Sequence, residues 1–261
     1  MRMSGPEKNY DLDNDGFCFL PTIFSKEDSE SARSGLWNII NGEYATGRQP
    51  ERRFWETGDD PRKIIKIDKP HLCNDAVWSL VTNNNFGRAL AEATRAKKIQ
   101  VWHSQVVWKP QSIGNSGNAG WHRDAQYWPF WGEDGLFTAW IALSNVSLSS
   151  GPVRFVPGSN HWGALEGLDF FDKDLVGQDK ILEKHHGGAE IVSGNLKIGE
   201  VSIHSSLTYH SSQANLDKKP RVGMVVHFCT DSAERIVIKG DNEHYLDQLK
   251  DPSITPIIYR E

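Results

Sequence analysis

Cysteine is scarce in this chain. The three present, Cys18, Cys73 and Cys229, are odd in number and have no C-x-x-C spacing. That argues against a disulfide framework and against a structural zinc site. Long apolar runs are also missing: nothing approaches about 18 consecutive apolar residues, so no membrane span is expected. The opening MRMSGPEKNYDLDNDG has no apolar stretch, and no signal peptide is read there. A basic surface is lacking as well, since the net charge is −5 with both signs interspersed. The nearest basic cluster, Arg48, Arg52, Arg53, Arg62, Lys63 and Lys66, is broken up by acidic residues and reads mostly as solvated surface. Nucleic acid is therefore not an expected partner. No repeat or low-complexity linker appears. What remains is a protein acting on a small molecule in a reducing, cytoplasmic setting, and nothing in the sequence specifies an oligomeric state.

At 261 residues, 38% hydrophobic and 24% charged, the chain is long enough for one sizeable core. FSKEDSESARSGLWNIINGEY predicts a helix, with Ser25 as its cap and Asp28 in the capping-box position. Asn74 is placed to cap a second helix, DAVWSLVT. The run NNN interrupts it, and FGRALAEATRA makes a third. From residue 99 the pattern changes to strands: 99–108, 136–144, 153–157, 199–205 and 221–229 are short, β-rich and bounded by Gly, Pro, Asn and Ser. In the last of these, Val222, Met224, Val226 and Phe228 alternate with Arg221, Gly223, Val225 and His227. In 136–144, Phe137, Ala139, Ile141 and Leu143 alternate with Thr138, Trp140 and Ala142. One greasy face and one mixed face suit a jelly roll whose mixed faces line a cavity. The expectation is one domain over 1–261, mainly β with helices (α+β). It comprises an N-terminal helical part (about 1–98), a jelly-roll core (about 99–232) and a C-terminal tail (233–261).

The stretch GWHRDAQYWPFWGEDG, residues 120–135, carries the first chemistry. In an extended segment, residues two apart point the same way, so His122 and Asp124 can offer an imidazole and a carboxylate to one ion. Two histidines and one carboxylate form the facial set of non-haem Fe(II) oxygenases, with positions left open. The third ligand should be a distant strand histidine, and HSSLTYHSSQANLDKKPR offers His204 and His210. Arg221 follows His210 by eleven residues across the turn-like NLDKKP. An arginine facing the same cavity grips a carboxylate in bidentate fashion, which suggests 2-oxoglutarate.

With those motifs in view, the sequence resembles the phytanoyl-CoA dioxygenase family of Fe(II)/2-oxoglutarate oxygenases. The resemblance rests on WHRDAQYWPF, FTAWIALSNVSLSSGPVRFVPGSNHWG and YHSSQANLDKKPR, with GFCFLP and RKIIKID nearer the start, and it runs over nearly the whole chain. It implies a double-stranded β-helix (jelly roll) flanked by N-terminal helices. It implies Fe(II) held by His122, Asp124 and His210, with 2-oxoglutarate and O2 as co-substrates. Only His210 has the HSS…PR context, which prefers it to His204; His204 is then a structural or supporting residue. Arg221 and Ser212 are implied at the far carboxylate of 2-oxoglutarate, with Trp140, Lys66, His103 and Gln105 lining the same pocket. Arg123 stands where many members carry glutamine, and would favour an anionic group if it touches substrate. Asp124 argues against halogenation, since halogenating relatives lack the carboxylate. Hydroxylation, with release of succinate and CO2, is the default; desaturation, epimerisation and cyclisation would use the same residues.

The aromatic run Tyr127, Trp128, Phe130 and Trp131 either staples the barrel mouth or lines the substrate entrance. Tyr127, Trp128, Phe130 and Arg123 are taken as substrate-lining. His161 reads as a turn residue, and His185 and His186 as part of an exposed polar loop. Residues 42–63 and 164–188 are expected to be loops that shape specificity. A CoA thioester would want Arg52, Arg53 and Arg62 for its phosphates. Two rival readings are a non-catalytic binding protein of the same fold and a zinc hydrolase, which would not need Arg221.

Overall fold

The computed structural model describes residues 9–112, 114–187, 190–236 and 243–261. In chain order the elements are β1 (Phe17–Leu20), α1 (Lys26–Ile40), β2 (Arg52–Arg53), β3 (Ile65–Asp68), α2 (Asp75–Val81), α3 (Asn84–Thr94), β4 (Lys98–Lys109), β5 (Ala119–His122), β6 (Leu136–Ala142), β7 (Val153–Phe155), α4 (Leu175–His186), β8 (Val192–Ser193), β9 (Val201–Ser205), β10 (His210–Ser212), β11 (Arg221–Thr230), α5 (Glu243–Gln248) and β12 (Ile257–Arg260).

The first three helices begin where their capping residues stand. Ser25 Oγ accepts from the Asp28 amide at 3.0 Å and donates to the Asp28 carboxylate at 2.7 Å. Asn74 Oδ1 accepts from the amides of Ala76 and Val77, and Asn83 caps α3 in the same way. Each bond satisfies an amide that the first turn would leave open.

The strands form two antiparallel sheets. The larger runs β1-β9-β6-β11-β4-β3-β2, with β12 also paired to β4; the smaller runs β5-β10-β7-β8. Together they make a jelly roll. The alternation of β11 and β6 decides which side each residue serves. Val222, Met224, Val226, Phe228, Ala139, Ile141 and Leu143 join Leu36, Ile39, Val77, Phe86 and Leu90 of the helices in one buried core. Their strand neighbours Arg221, Val225, His227, Thr138 and Trp140 face the inner cavity. A bulge at His227/Phe228 sets His227 opposite His103 and Phe228 opposite Val101, leaving Trp102 extra on β4. That extra residue resets the alternation, so Trp102 and His103 both reach the cavity.

Some expectations need correction. The stretch 164–188, expected as a loop, contains α4. Asp174 caps this helix through the Gly177 amide at 3.0 Å, and Leu175, Gln178 and Leu182 are buried beneath it. His185 and His186 therefore lie in the last turn of a helix rather than in a loop, and His185 is exposed. The N-terminal part is not only helical: β1, β2 and β3 extend the large sheet. Beyond residue 233, β12 returns to pair with the start of β4, Tyr259 opposite Ile99. Among the described residues, no helix is long and apolar enough to cross a membrane. All three cysteines are free, with Cys73 and Cys229 buried.

Candidate metal centre and active site

β5 and β10 pair so that His122 lies opposite His210, with ring centroids 4.1 Å apart. Each imidazole is held by its own strand. His122 Nδ1 donates to Gly120 O at 2.7 Å, and His210 Nδ1 donates to Thr208 O at 3.0 Å. These bonds fix the Nδ1–H tautomer and leave both Nε2 lone pairs free for a metal. Asp124 opens a 3-10 turn just after β5. Its Oδ1 lies 3.8 Å from each of those Nε2 atoms. Its Oδ2 is occupied, accepting from Thr138 Oγ1 at 2.6 Å and from His204 Nε2 at 3.3 Å. Ligand atoms of His122, Asp124 and His210 all lie within 4.8 Å of one another, and all three residues are buried. His204 stands outside this group, behind the carboxylate.

Electrostatics suit a metal. Burial pulls His122 below the ordinary histidine value and His210 well below it, keeping both imidazoles neutral, the form that binds metal. Burial alone would raise Asp124. The neighbouring His210 and the bond from His204 outweigh it and hold the carboxyl well below the usual range. Two neutral nitrogens and one carboxylate oxygen, each with its other atom anchored, are the donor set that Fe(II) takes.

Beside this group lies a small cavity of about 100 Å³ whose lining includes Lys66, Gln105, Lys109, Trp140, Ser212 and Arg221. Arg221 is buried and donates to Gly151 O at 2.7 Å, while its Nε has no partner. Burial draws its pKa down to about 10. Its guanidinium sits 5.1 Å from the centre of the Trp140 ring. Trp140 lies flat over β11: a Cβ on Gly223 would meet the indole at 2.1 Å, so only glycine leaves room for the ring. Lys109 is also fully buried, donating to Ser212 Oγ and Gln213 O, both at 2.7 Å. Burial, then repulsion from Arg221, holds it well below the ordinary lysine value. Two buried cations side by side, with no carboxylate paired to either among the described residues, make a pocket for an anion.

The larger cavity, about 490 Å³, adjoins the small one, and His122, Asp124, Lys66, Gln105, Phe170 and His227 line both. Tyr127, Trp128 and Phe130 line it, as do His103, Gln105 and Lys66. Trp128 and Phe130 also pack edge-on against Trp102, so the aromatic run both staples the mouth and lines it. The cavity is closed partly by Phe170 and Phe171, which precede α4. Gly120 holds that segment close: its amide donates to Phe170 O at 3.0 Å, and a Cβ there would strike Asp169 O at 2.0 Å. Arg123 is not among the lining residues. It alternates away from His122, and its guanidinium lies 5.7 Å from the centre of the Tyr209 ring. His161 donates to Asp13 O at 2.9 Å on the surface, as a turn residue does.

Several lining residues were not singled out from the sequence. Lys109 continues the alternation His103, Gln105, Val107 on β4, so two more steps along the strand would have found it. His227 and Thr138 lie on the mixed faces already recognised, but nothing local distinguishes them. Asp68 and Tyr245 arrive from distant parts of the chain. The basic cluster does not form one patch. Arg53 donates to Ile39 O and Ile40 O at the end of α1, and Arg62 pairs with Asp60. Of the three arginines considered for CoA, only Arg52 reaches the cavity.

Fold and site together define a jelly-roll protein with a buried two-histidine, one-carboxylate group beside an anion pocket. A family model described as Phytanoyl-CoA dioxygenase (PhyH) matches residues 12–223, and the chain belongs to that family. It is 24% identical over 208 residues to a probable alpha-ketoglutarate-dependent hypophosphite dioxygenase of Stutzerimonas stutzeri, covering 77% of this chain and 70% of that protein. It is 24% identical over 164 residues to the peroxisomal phytanoyl-CoA dioxygenase of Homo sapiens, covering 60% of this chain. The match spans about half, 47%, of that human protein's length. Among solved structures, the non-heme alpha ketoglutarate dependent carbocyclase SnoK from nogalamycin biosynthesis superposes with a TM-score of 0.69. It is 20% identical, covering 91% of this chain and 87% of that one. EctD from S. alaskensis, solved with 2-oxoglutarate and 5-hydroxyectoine, gives 0.63 at 20% identity, covering 85% and 74%. These structural likenesses establish the jelly-roll fold.

Proposed function

We propose that this protein is an oxygenase dependent on Fe(II) and 2-oxoglutarate, and that it hydroxylates an unactivated C–H of a small organic molecule with release of succinate and CO2. The observation that carries the reading is the buried His122, Asp124 and His210 group, which borders both a small pocket lined by Arg221 and Lys109 and a 490 Å³ cavity. In this reading His122, Asp124 and His210 hold the metal, and Arg221 and Lys109 hold the far carboxylate of 2-oxoglutarate with Ser212 beside them. Trp140 forms the wall of that pocket. Lys66 and Gln105 stand where the two cavities meet, and His103 lines the larger one. Bound iron and 2-oxoglutarate supply the oxidising power drawn from O2; the protein supplies orientation and a dry site. Tyr127, Trp128 and Phe130 exclude water and present apolar surface to the target carbon.

The test is an anaerobic titration of the apo-protein with Fe(II) and then 2-oxoglutarate. A visible charge-transfer band should form in the wild type and fail in His210→Ala. Asp124→Ala should fold and lose turnover of 2-oxoglutarate; wild-type turnover in that variant would overturn the assignment. The structural neighbours include a carbocyclase and an epimerase. The product separates these outcomes: hydroxylation adds one oxygen atom, ring closure removes two hydrogens, and epimerisation changes neither.

A further inference from the structure

The larger cavity carries a pair of like charges, Arg52 and Lys66; Arg52 has no part in the iron and 2-oxoglutarate reading, and Lys66 lines both cavities. Arg52, from β2, places its guanidinium 4.4 Å from the centre of the Phe54 ring. Lys66, on the neighbouring β3, places its ammonium 5.0 Å from the same ring and 5.1 Å from the Phe170 ring. Arg52 is exposed at the rim and Lys66 is half-buried, and neither has an ion-pair or side-chain hydrogen-bond partner among the described residues. Burial lowers the Lys66 pKa; the nearby Asp68 and Asp124 carboxylates oppose that fall, and Arg52, as a like charge, adds a little to it. Aromatic faces are poor substitutes for a counter-ion: they attract a cation by about 0.5–2 kcal/mol and neutralise nothing.

A charge count shows what is missing. The acidic groups on the cavity wall are Asp68 and Asp124. Asp124 belongs to the proposed metal site. There, Fe(II) with one carboxylate and a 2-oxoglutarate dianion carries one net negative charge, and Arg221 and Lys109 stand beside it. The two basic groups there already exceed that one negative charge, so the co-substrate needs none from Lys66. Asp68, which accepts from Gln105 Nε2 at 2.8 Å, offsets one of the two remaining cations. One positive charge is left over at the mouth. Trp102 adds a donor, since its buried indole N–H has no acceptor. The rest of the wall is aromatic: Trp128, Phe130, Phe170 and Phe171. The volume suits a ligand of drug-like size.

We propose that the substrate is a small molecule bearing one carboxylate or phosphonate group, which Arg52 and Lys66 grip at the cavity mouth. Its carbon body lies against Trp128, Phe130 and Phe170 and runs inward toward His122. Arg52 is thus a specificity-determining residue: it supplies the planar fork that matches an oxoanion. A CoA thioester, with several phosphates, is not the fit, because Arg53 and Arg62 are committed elsewhere. The proposal deepens the oxygenase reading and rests on it for the location of the reacting carbon.

The experiment is isothermal titration calorimetry on anaerobic protein loaded with Fe(II) and saturating 2-oxoglutarate. The probes are phenylacetate, benzylphosphonate, benzyl alcohol and benzylamine. One of the two anions should bind at least tenfold more tightly than benzyl alcohol, and benzylamine should bind most weakly. The preferred anion identifies the head group. Arg52→Gln should abolish the preference and Arg52→Lys should restore part of it, a rescue that a merely structural role would not give. Equal binding of neutral and anionic probes, failure of both anions to bind, or a preference that survives Arg52→Gln overturns the proposal. The charge-transfer band, recorded before any probe is added, tests the oxygenase reading separately. If it is absent, the same titration on apo-protein still reads the charge preference of the cavity.

Discussion

Thr138 Oγ1 lies 2.6 Å from Asp124 Oδ2 and 2.8 Å from His227 Nδ1. A hydroxyl has one proton, and Asp124 is ionised, so the proton goes to the carboxylate. Thr138 then accepts from His227 Nδ1–H. This direction of bonding keeps Oδ2 occupied and leaves Oδ1 as the atom turned toward His122 and His210. Thr138→Val keeps the shape of the side chain and removes the bond. It should weaken Fe(II) affinity roughly 10–100-fold, the usual effect of losing a partner of a metal ligand, while the far-ultraviolet circular dichroism stays that of wild type. An Fe(II) titration with unchanged affinity would show that His204 alone orients the carboxylate.

The paired cations of the inner pocket predict a division of labour. Arg221→Ala and Lys109→Met should each weaken 2-oxoglutarate binding at least tenfold, since a hydrogen bond to a charged group contributes about 1.5–3 kcal/mol. Neither should remove the metal, because neither touches His122, Asp124 or His210. The readout is the midpoint of the charge-transfer band against 2-oxoglutarate at fixed Fe(II). Lys109 would be a structural lysine only if Lys109→Met left that midpoint in place.

Gly223 and Trp140 make the pocket wall by close approach, and Gly223→Ala tests it. A methyl group there meets the indole at 2.1 Å. The ring must tilt toward Arg221 or the strand must shift, at a typical cost of about 1–3 kcal/mol. The variant should lose stability in urea and lose 2-oxoglutarate affinity together. A stable variant with normal co-substrate binding would mean that the ring has freedom the packing does not suggest.

How much of this was legible depended on period. The two-residue alternation of β11 and β6 separated core from cavity correctly, because both strands carry one fully apolar face. His122 and Asp124 were legible for the same reason, and Arg123 was misjudged despite it: a residue between two inward ones points outward. Lys109 was hidden by composition, since a lysine at a strand end reads as solvated until the opposing sheet is known to cover it. Thr138, His204 and His227 converge on Asp124 from three strands of the large sheet, β6, β9 and β11, a relation no local pattern encodes. The bulge beside Trp102 broke the alternation on β4 without a glycine to announce it. α4 was missed because its buried residues are few and its charged ones many.

His71 gives a pH test away from the site. It is fully buried, bonded to Ser104 Oγ at 2.6 Å and Ile254 O at 3.0 Å. Burial lowers its pKa from 6.5 to about 4. The unfolded chain therefore binds a proton between those values that the folded chain refuses, so stability rises with pH across the window. The contribution is complete above pH 6.5 and is lost as pH falls toward 4, by roughly 3 kcal/mol if the whole shift is expressed. Burial also lowers the pKa of His103, His122, His210 and His227, so the wild-type curve alone does not isolate this one. The comparison is His71→Gln, which keeps polar atoms without an imidazole to protonate. Urea unfolding from pH 7.5 to 4 should show the stability gap between wild type and variant narrowing as the pH falls. Parallel curves would mean that His71 is protonated in the fold without cost, and that the Ser104 and Ile254 contacts rearrange to take its charge.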